Sequence, residues 1–151
     1  METTFRVLVQ AELDAVQEFE RKMIESLGIP EQEAQIMSWS APWRQESLEH
    51  YAKSGWSFGA WRGEKLAGYF LAQPFVFFRG LTQTLWVEHV SAADSDLEAQ
   101  LIDLARRYGR DKHLQSVLFN ENANLKSDLK IQGAQAIADQ IFEFKTTKAN
   151  R

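Results

Sequence analysis

Residues 56–72 read WSFGAWRGEKLAGYFLA, and this stretch decides the fold. Trp56, Phe58 and Ala60 alternate with the residues between them, and a period of two is typical of a β-strand. Residues 62–65, RGEK, are typical of the turn of a hairpin. The stretch therefore predicts two antiparallel strands joined by a tight turn.

The second of these strands is predicted over 66–78, where apolar residues continue. Pro74 has no N–H to give to a neighbouring strand, so it predicts a bulge or an edge position there. Phe77 and Phe78 are adjacent and must point to opposite faces, which predicts a cover on both. Helices or a homodimer contact would both provide it. After a turn at 79–80, a third strand of the same meander is predicted over 82–90.

Apolar residues at helical spacing predict helices on either side of the meander. Helices are predicted over 12–27, 30–36 and 40–54, then from the caps Asp94, Ser95 and Asp96 to a stop at Gly109, and over 122–131. Short strands are predicted over 5–9, 114–119 and 137–145. This order predicts a mixed α+β fold in which the antiparallel meander feeds a βαβ crossover.

The composition excludes several classes of protein. The 151 residues, 44% of them apolar, predict a single domain over 1–151. The chain has no Cys, which excludes disulfide scaffolds, thiolate zinc sites and Cys nucleophiles. His50, His89 and His113 lie at no metal-ligand spacing, so no metal is predicted.

Hydropathy and charge indicate the cellular compartment and the classes of binding partner that we expect. No run reaches the roughly 18 apolar residues of a membrane helix, and the N-terminus does not resemble a signal peptide. We therefore expect a cytoplasmic protein without a membrane partner. A net charge of −4 argues against nucleic-acid binding, which needs a basic surface.

The succession of elements resembles the GNAT superfamily of acyl-CoA-dependent N-acyltransferases over nearly the whole chain. Three pieces carry the resemblance: the hairpin of 56–72 with Gly68 early in its second strand, the strand and helix around 90–98, and 117–124, VLFNENAN, followed by Gly133. The resemblance implies a mostly antiparallel, twisted, mixed sheet with helices on both faces. It also implies a V-shaped opening between the fourth and fifth strands, where acetyl-CoA would lie.

The resemblance places the acetyl-CoA site at the loop after the fourth strand, residues 90–98, VSAADSDLE. The residues that it implies as cofactor-binding are Val90, Ala92, Ser95, Asp96, Leu97 and Asn122. Family members usually have glycines in this loop, which let the backbone approach the pyrophosphate. Here the loop is degenerate, because there is no Gly between Gly80 and Gly109 and three acidic residues follow. Ordinary helix capping also explains those acidic residues.

Glu88 and His89 lie on the fourth strand, where some family members have a general base, so they are the candidate catalytic residues. Alternation predicts Glu88 on the face of Val90 and His89 on the opposite face. A structural hydrogen-bonded pair, or a His exposed to solvent, explains them equally well. The position of the family's usual acid, a Tyr, corresponds to Leu129.

Trp39 and Trp43 flank a loop that borders the acceptor groove in the GNAT arrangement, so they are candidate substrate-binding residues. Packing of the loop on the sheet is the alternative. Two functions therefore stay open. One is an N-acyltransferase that moves an acetyl or related group from acyl-CoA to a small amine. The other is an inactive GNAT-fold binding or regulatory module, possibly dimeric, without acyl-CoA.

Overall fold

The structure, a computed structural model, describes residues 2–78, 81–120 and 134, and the side chains of 76–78 and 81–82 lie outside that description. The predicted helix over 122–131 and the predicted strand over 137–145 also lie outside it, as do Asn122, Leu129 and Gly133. The single-domain prediction for 1–151 therefore stays a prediction.

The described strands form one five-stranded sheet in the order β1-β2-β3-β4-β5. They are β1 (Thr3–Val7), β2 (Phe58–Arg62), β3 (Lys65–Phe78), β4 (Leu81–Ala92) and β5 (Ser116–Phe119). The first four pair antiparallel, whereas β5 pairs parallel to β4. This confirms the predicted meander and its crossover. It also confirms the predicted α+β fold with a mixed, mostly antiparallel sheet.

Four α-helices belong to the described residues, and they cover both faces of the sheet. They are α1 (Leu13–Ser26), α2 (Glu31–Trp39), α3 (Gln45–Ser54) and α4 (Ser95–Asp111). On one face, Leu13, Val16 and Leu48 of α1 and α3 pack with Tyr69 and Leu71 of β3. On the other face, α4 forms a second cluster with β3 and β4 through Leu97, Leu101, Ile102 and Ala105.

The predicted start of α3 and the predicted end of α4 are wrong. Helix α3 begins at Gln45 and not directly after a cap at Ser40, because 41–44 form a turn in which the N–H of Arg44 donates to the carbonyl of Ala41 at 3.1 Å. Gly109 lies inside α4, which continues to Asp111, and His113 makes the left-handed turn with φ 62°. A Cβ on Gly109 would lie 2.6 Å from the Cγ2 of Val117, so this glycine permits close packing of α4 on β5.

Pro74 lies at an edge position, while the irregularity in the pairing of β3 with β4 comes earlier, opposite the step from Leu71 to Ala72. The pairing of β2 with β3 ends at Phe70. Beyond it, the N–H of Ala72 donates to the Oγ of Ser57 at 3.0 Å instead of to a strand. Since amides two residues apart face the same side, the nitrogen of Pro74 points beyond the end of β2. Proline therefore removes no strand–strand hydrogen bond there.

Candidate functional site

Glu88 is the extra residue of a β-bulge in β4. Leu71 pairs with His89 and Ala72 pairs with Val87, which leaves Glu88 without a partner in the register. The predicted alternation is therefore wrong, because the bulge shifts the faces by one residue. Val87 and Val90 share the α4 face, whereas His89 faces α1 and Glu88 lies beside Trp86 toward α3.

The carboxylate of Glu88 is half-buried and is held by its own strand. The indole Nε1 of Trp86 donates to its Oε2 at 2.7 Å. Burial raises the pKa of Tyr51 in α3 to about 12, and the negative charge of Glu88 adds to this shift. The phenol of Tyr51 is therefore protonated at neutral pH. The donor that holds the Glu88 carboxylate is the indole N–H of Trp86.

His89 lies in the core and not at a surface of the opening. Only 5% of it is exposed, and its Nε2 lies 3.7 Å from the Oε1 of Glu20 in α1. The hydroxyl of Tyr69 donates to the same carboxylate oxygen at 2.7 Å. The structure therefore supports a structural alternative for His89, as part of a buried polar group with Glu20 and Tyr69. Glu88 and His89 lie side by side in the chain but in different environments.

The described pairing of β4 with β5 ends where the bulge begins. Its last pair is Val87 with Phe119, and β4 continues to Ala92. Asn120 follows: its N–H donates to the carbonyl of Val87 at 2.9 Å, and its Nδ2 donates to the carbonyl of Glu88 at 3.3 Å. The backbone of Asn120 thus continues the parallel pairing by one hydrogen bond, and its side chain contacts the backbone of the bulge. The sequence analysis missed Asn120, although an Asn directly after a strand is a usable signal.

The start of α4 is capped by its own acidic residue. Asp94 accepts from the N–H of Leu97 at 2.8 Å through Oδ1, and its Oδ2 lies 3.1 Å from the Nη2 of Arg62. These two contacts, the backbone one first, lower the pKa of Asp94. The predicted use of this residue as a cap is confirmed, and the sequence analysis missed Arg62 as its partner.

The other candidates for acetyl-CoA binding surround this helix start. The side chains of Val90, Ala92 and Leu97 are buried in the α4 core cluster, so only their backbone is available to a ligand. Ser95 and Asp96 are exposed in the first turn of α4. The structure brings these five residues together along 90–97, while Asn122 lies outside the described residues.

The two candidate substrate-binding tryptophans differ in environment. Trp39, at the end of α2, is 70% exposed. Trp43 is half-buried and packs against the core cluster of α1 and α3, which agrees with the alternative of loop packing. Their roles in binding a substrate stay predictions.

Among the described residues, a groove of about 530 Å³ opens between α1 and the β2–β3 turn. None of the predicted site residues lines it, although Arg62 does. In the same part of the chain, no three His, Asp or Glu side chains are grouped as a metal would need. No described helix combines the length and apolar character that crossing a membrane requires.

No protein-family model matches the chain, and no curated protein sequence matches it. Solved structures do match it. A predicted acetyltransferase with acetyl-CoA from Clostridium acetobutylicum is 8% identical with a TM-score of 0.68, covering 95% of this chain and 96% of that one. Ribosomal-protein-alanine N-acetyltransferase from Brucella melitensis biovar Abortus 2308 is 13% identical with a TM-score of 0.65, covering 97% and 100%.

A third structure is AAC(6')-Iy in complex with the bisubstrate analog CoA-S-monomethyl-acetylneamine. It is 15% identical with a TM-score of 0.64, covering 97% of this chain and 100% of that one. At such identities the likeness concerns the fold. It extends over nearly the whole chain, and it confirms the predicted GNAT fold.

Proposed function

We propose that this chain is an N-acetyltransferase that moves the acetyl group of acetyl-CoA to a small amine. The observation that carries the proposal is the bulge at Glu88, which sets a half-buried carboxylate where the described β4–β5 pairing ends. Solved structures of the same fold, one with acetyl-CoA and one with a CoA bisubstrate analog, support acetyl-CoA as the donor.

In the proposed reaction, the amine nitrogen attacks the thioester carbonyl carbon. A carbon–nitrogen bond forms, the carbon–sulfur bond breaks, and the electron pair leaves on the CoA sulfur as a thiolate. Glu88 accepts the proton that the amine loses, directly or through one water. The thiolate takes its proton from water. The rate enhancement then comes mostly from holding the amine beside the thioester.

The backbone of β4 fits this donor better than the start of α4 does. In the proposal, the backbone groups of 88–92, which lie beyond the last described β5 pair, receive the extended amide chain of the donor. At the helix start, the carboxylate of Asp94 occupies the N–H of Leu97, a donor that a pyrophosphate would use. Arg62 offsets that negative charge. In the proposal, Asp94 turns toward Arg62 when the donor binds.

The Asp94 cap is also the observation that favours the second candidate, a GNAT-fold binding or regulatory module without acyl-CoA. A helix start whose N–H groups are satisfied within the chain has less to offer a phosphate. Binding of the donor separates the two candidates.

The test is calorimetric titration with acetyl-CoA and CoA, accompanied by thermal unfolding. Donor at 100 times its dissociation constant stabilises a fold by about 2.7 kcal/mol. No heat and no thermal shift at millimolar acetyl-CoA would contradict the proposal. If the donor binds, Glu88→Gln is expected to lower turnover while leaving its affinity unchanged. Glu49→Gln is the matched control, because Glu49 is an exposed acid on α3 whose partner is Gln45.

A further inference from the structure

The face of the sheet next to the bulge carries aromatic rings around one carboxylate. The rings of Phe75 and Trp86 lie on diagonally neighbouring positions of β3 and β4, with centroids 6.4 Å apart and planes tilted by 41°. Both side chains are half-buried, as is Glu88. We call Phe75, Trp86 and Glu88 the aromatic acidic subsite.

This subsite has two polar side-chain groups, the indole N–H of Trp86 and the carboxylate of Glu88. The carboxylate of Glu88 is its charged group, fixed by the indole N–H of Trp86 at 2.7 Å. On the same face, Gln73 and His50 already hydrogen-bond to each other. A ligand rich in hydroxyls would therefore leave many of them without partners when it binds, at a cost for each.

We propose that the aromatic acidic subsite binds an ammonium group carried on a flat apolar body, such as an arylalkylamine. The carboxylate of Glu88 pairs with the ammonium group, and the rings of Trp86 and Phe75 pack against the body. This inference rests on the proposed function where it makes the ligand the acetyl acceptor, and it names the class of that acceptor. Binding itself needs no acetyl-CoA.

The test is titration of the whole chain with 2-phenylethylammonium, followed by calorimetry and by amide NMR shifts, without acetyl-CoA. Two further probes separate the contributions. Ethylammonium keeps the charge and lacks the ring, whereas 2-phenylethanol keeps the ring and lacks the charge. Each is expected to bind at least about tenfold more weakly than 2-phenylethylammonium, with shifts centred on Trp86 and Glu88.

Variants assign the binding to the subsite. Glu88→Gln and Phe75→Leu are each expected to weaken 2-phenylethylammonium about tenfold. Trp86→Phe keeps a ring but loses the N–H that holds Glu88, so an intermediate loss is expected. Glu49→Gln, the exposed control on α3, is expected to bind as the unmodified chain does. Circular dichroism verifies that each variant is folded.

The outcomes separate this inference from the proposed function. If acetyl-CoA binds but 2-phenylethylammonium does not, or if ethylammonium binds equally well, the inference is wrong and the proposed function stands. If 2-phenylethylammonium binds through Glu88 while acetyl-CoA does not bind, the acetyltransferase proposal fails and the subsite stands as that of a binding module. Equal affinity of the unmodified chain and Glu88→Gln overturns the subsite directly.

Discussion

The hydroxyl of Tyr69 donates a 2.7 Å hydrogen bond to the carboxylate of Glu20 inside the core. Tyr69 is fully buried and Glu20 is 7% exposed. His89 lies against the same carboxylate oxygen at 3.7 Å. The contact therefore joins α1 to β3 and to β4 directly beside the bulge, with an acidic group that has almost no access to water.

This buried carboxylate is expected to make the stability depend on pH. Burial alone would raise the pKa of Glu20, but the hydrogen bond from Tyr69 and the interactions with His89 and Ser91 outweigh it and hold the pKa below its usual value of 4.5. The stabilisation is therefore fully present above about pH 4.5 and is lost as the pH falls through the lower pKa of the folded state. Urea unfolding measured from pH 7 to pH 3 reports this loss.

Glu20→Gln identifies the source of that dependence. The amide keeps an oxygen for the Tyr69 hydroxyl but loses the negative charge beside His89. We therefore expect the free energy of unfolding to fall by about 1–3 kcal/mol at pH 7 and to depend less on pH below 4.5. Glu25→Gln is the control, because Glu25 is on the same helix but exposed, and is paired with Arg21. Equal acid profiles for the unmodified chain and Glu20→Gln would contradict this assignment.

Gly109→Ala is expected to destabilise the fold, although alanine is the better helix former. Alanine gains about 0.5–1 kcal/mol in a helix interior. Its Cβ would, however, lie 2.6 Å from the Cγ2 of Val117, and overpacking costs about 1–3 kcal/mol. We expect a net loss of about 1 kcal/mol in thermal or urea unfolding.

The double variant Gly109→Ala with Val117→Ala tests that reason. Removing both Cγ methyls of Val117 makes room for the new Cβ, so the two changes together are expected to cost less than the sum of the separate changes. Additive costs would show that the two residues do not interact.

Ser57→Ala is expected to leave the N–H of Ala72 without its partner. The buried Oγ of Ser57 accepts that hydrogen bond at 3.0 Å where β2 has already ended. A buried unsatisfied amide costs about 1–3 kcal/mol, measured by urea unfolding. Ser54→Ala is the matched control, because Ser54 contacts the carbonyl of Ala72 and not its N–H. A larger loss for Ser54→Ala would contradict this explanation.

Much of the fold could be predicted from local patterns. The hairpin was predicted from the turn residues 62–65 and the period of two in the flanking strands. The start of α4 was predicted from its cap, Asp94. Both features depend on residues that are only a few positions apart in the sequence. Gly109 was misread for a physical reason. A glycine near the end of a helical pattern indicates either a stop or a close contact, and the contact with Val117 comes from a distant strand.

The geometry of the candidate site was harder to predict from the sequence. One extra residue in the register of β4 decides where Glu88 and His89 point, and the apolar pattern of the strand is compatible with either register. The partners of these residues, Trp86 and Glu20, are specified by that register and by the packing of α1. Arg62 lies far from Asp94 in sequence, so their ion pair leaves no local signal.

Asp94→Asn is expected to strengthen acetyl-CoA binding. Asparagine is as good a helix cap as aspartate, so the hydrogen bond from Leu97 is retained. The ion pair with Arg62 is lost, but both side chains are partly exposed and such pairs contribute little to stability. The change removes a negative charge that repels a pyrophosphate. At about 4 Å in water this repulsion is about 1 kcal/mol, so we expect a roughly fivefold lower Kd by calorimetry at low salt, and a smaller gain at high salt. Arg62→Gln leaves the charge of Asp94 without its partner and is expected to raise the Kd.

Asp103→Asn is the matched control for this experiment. Asp103 is also an acid of α4, but it is exposed, lies in the middle of the helix and pairs with Arg107 at 2.8 Å. Removing its charge changes the net charge of the chain by the same amount, so any general electrostatic effect appears in both variants. If the two variants have equal Kd values, the charge at the start of α4 does not oppose the donor. An unchanged Kd for Arg62→Gln would show that Arg62 has no part in donor binding.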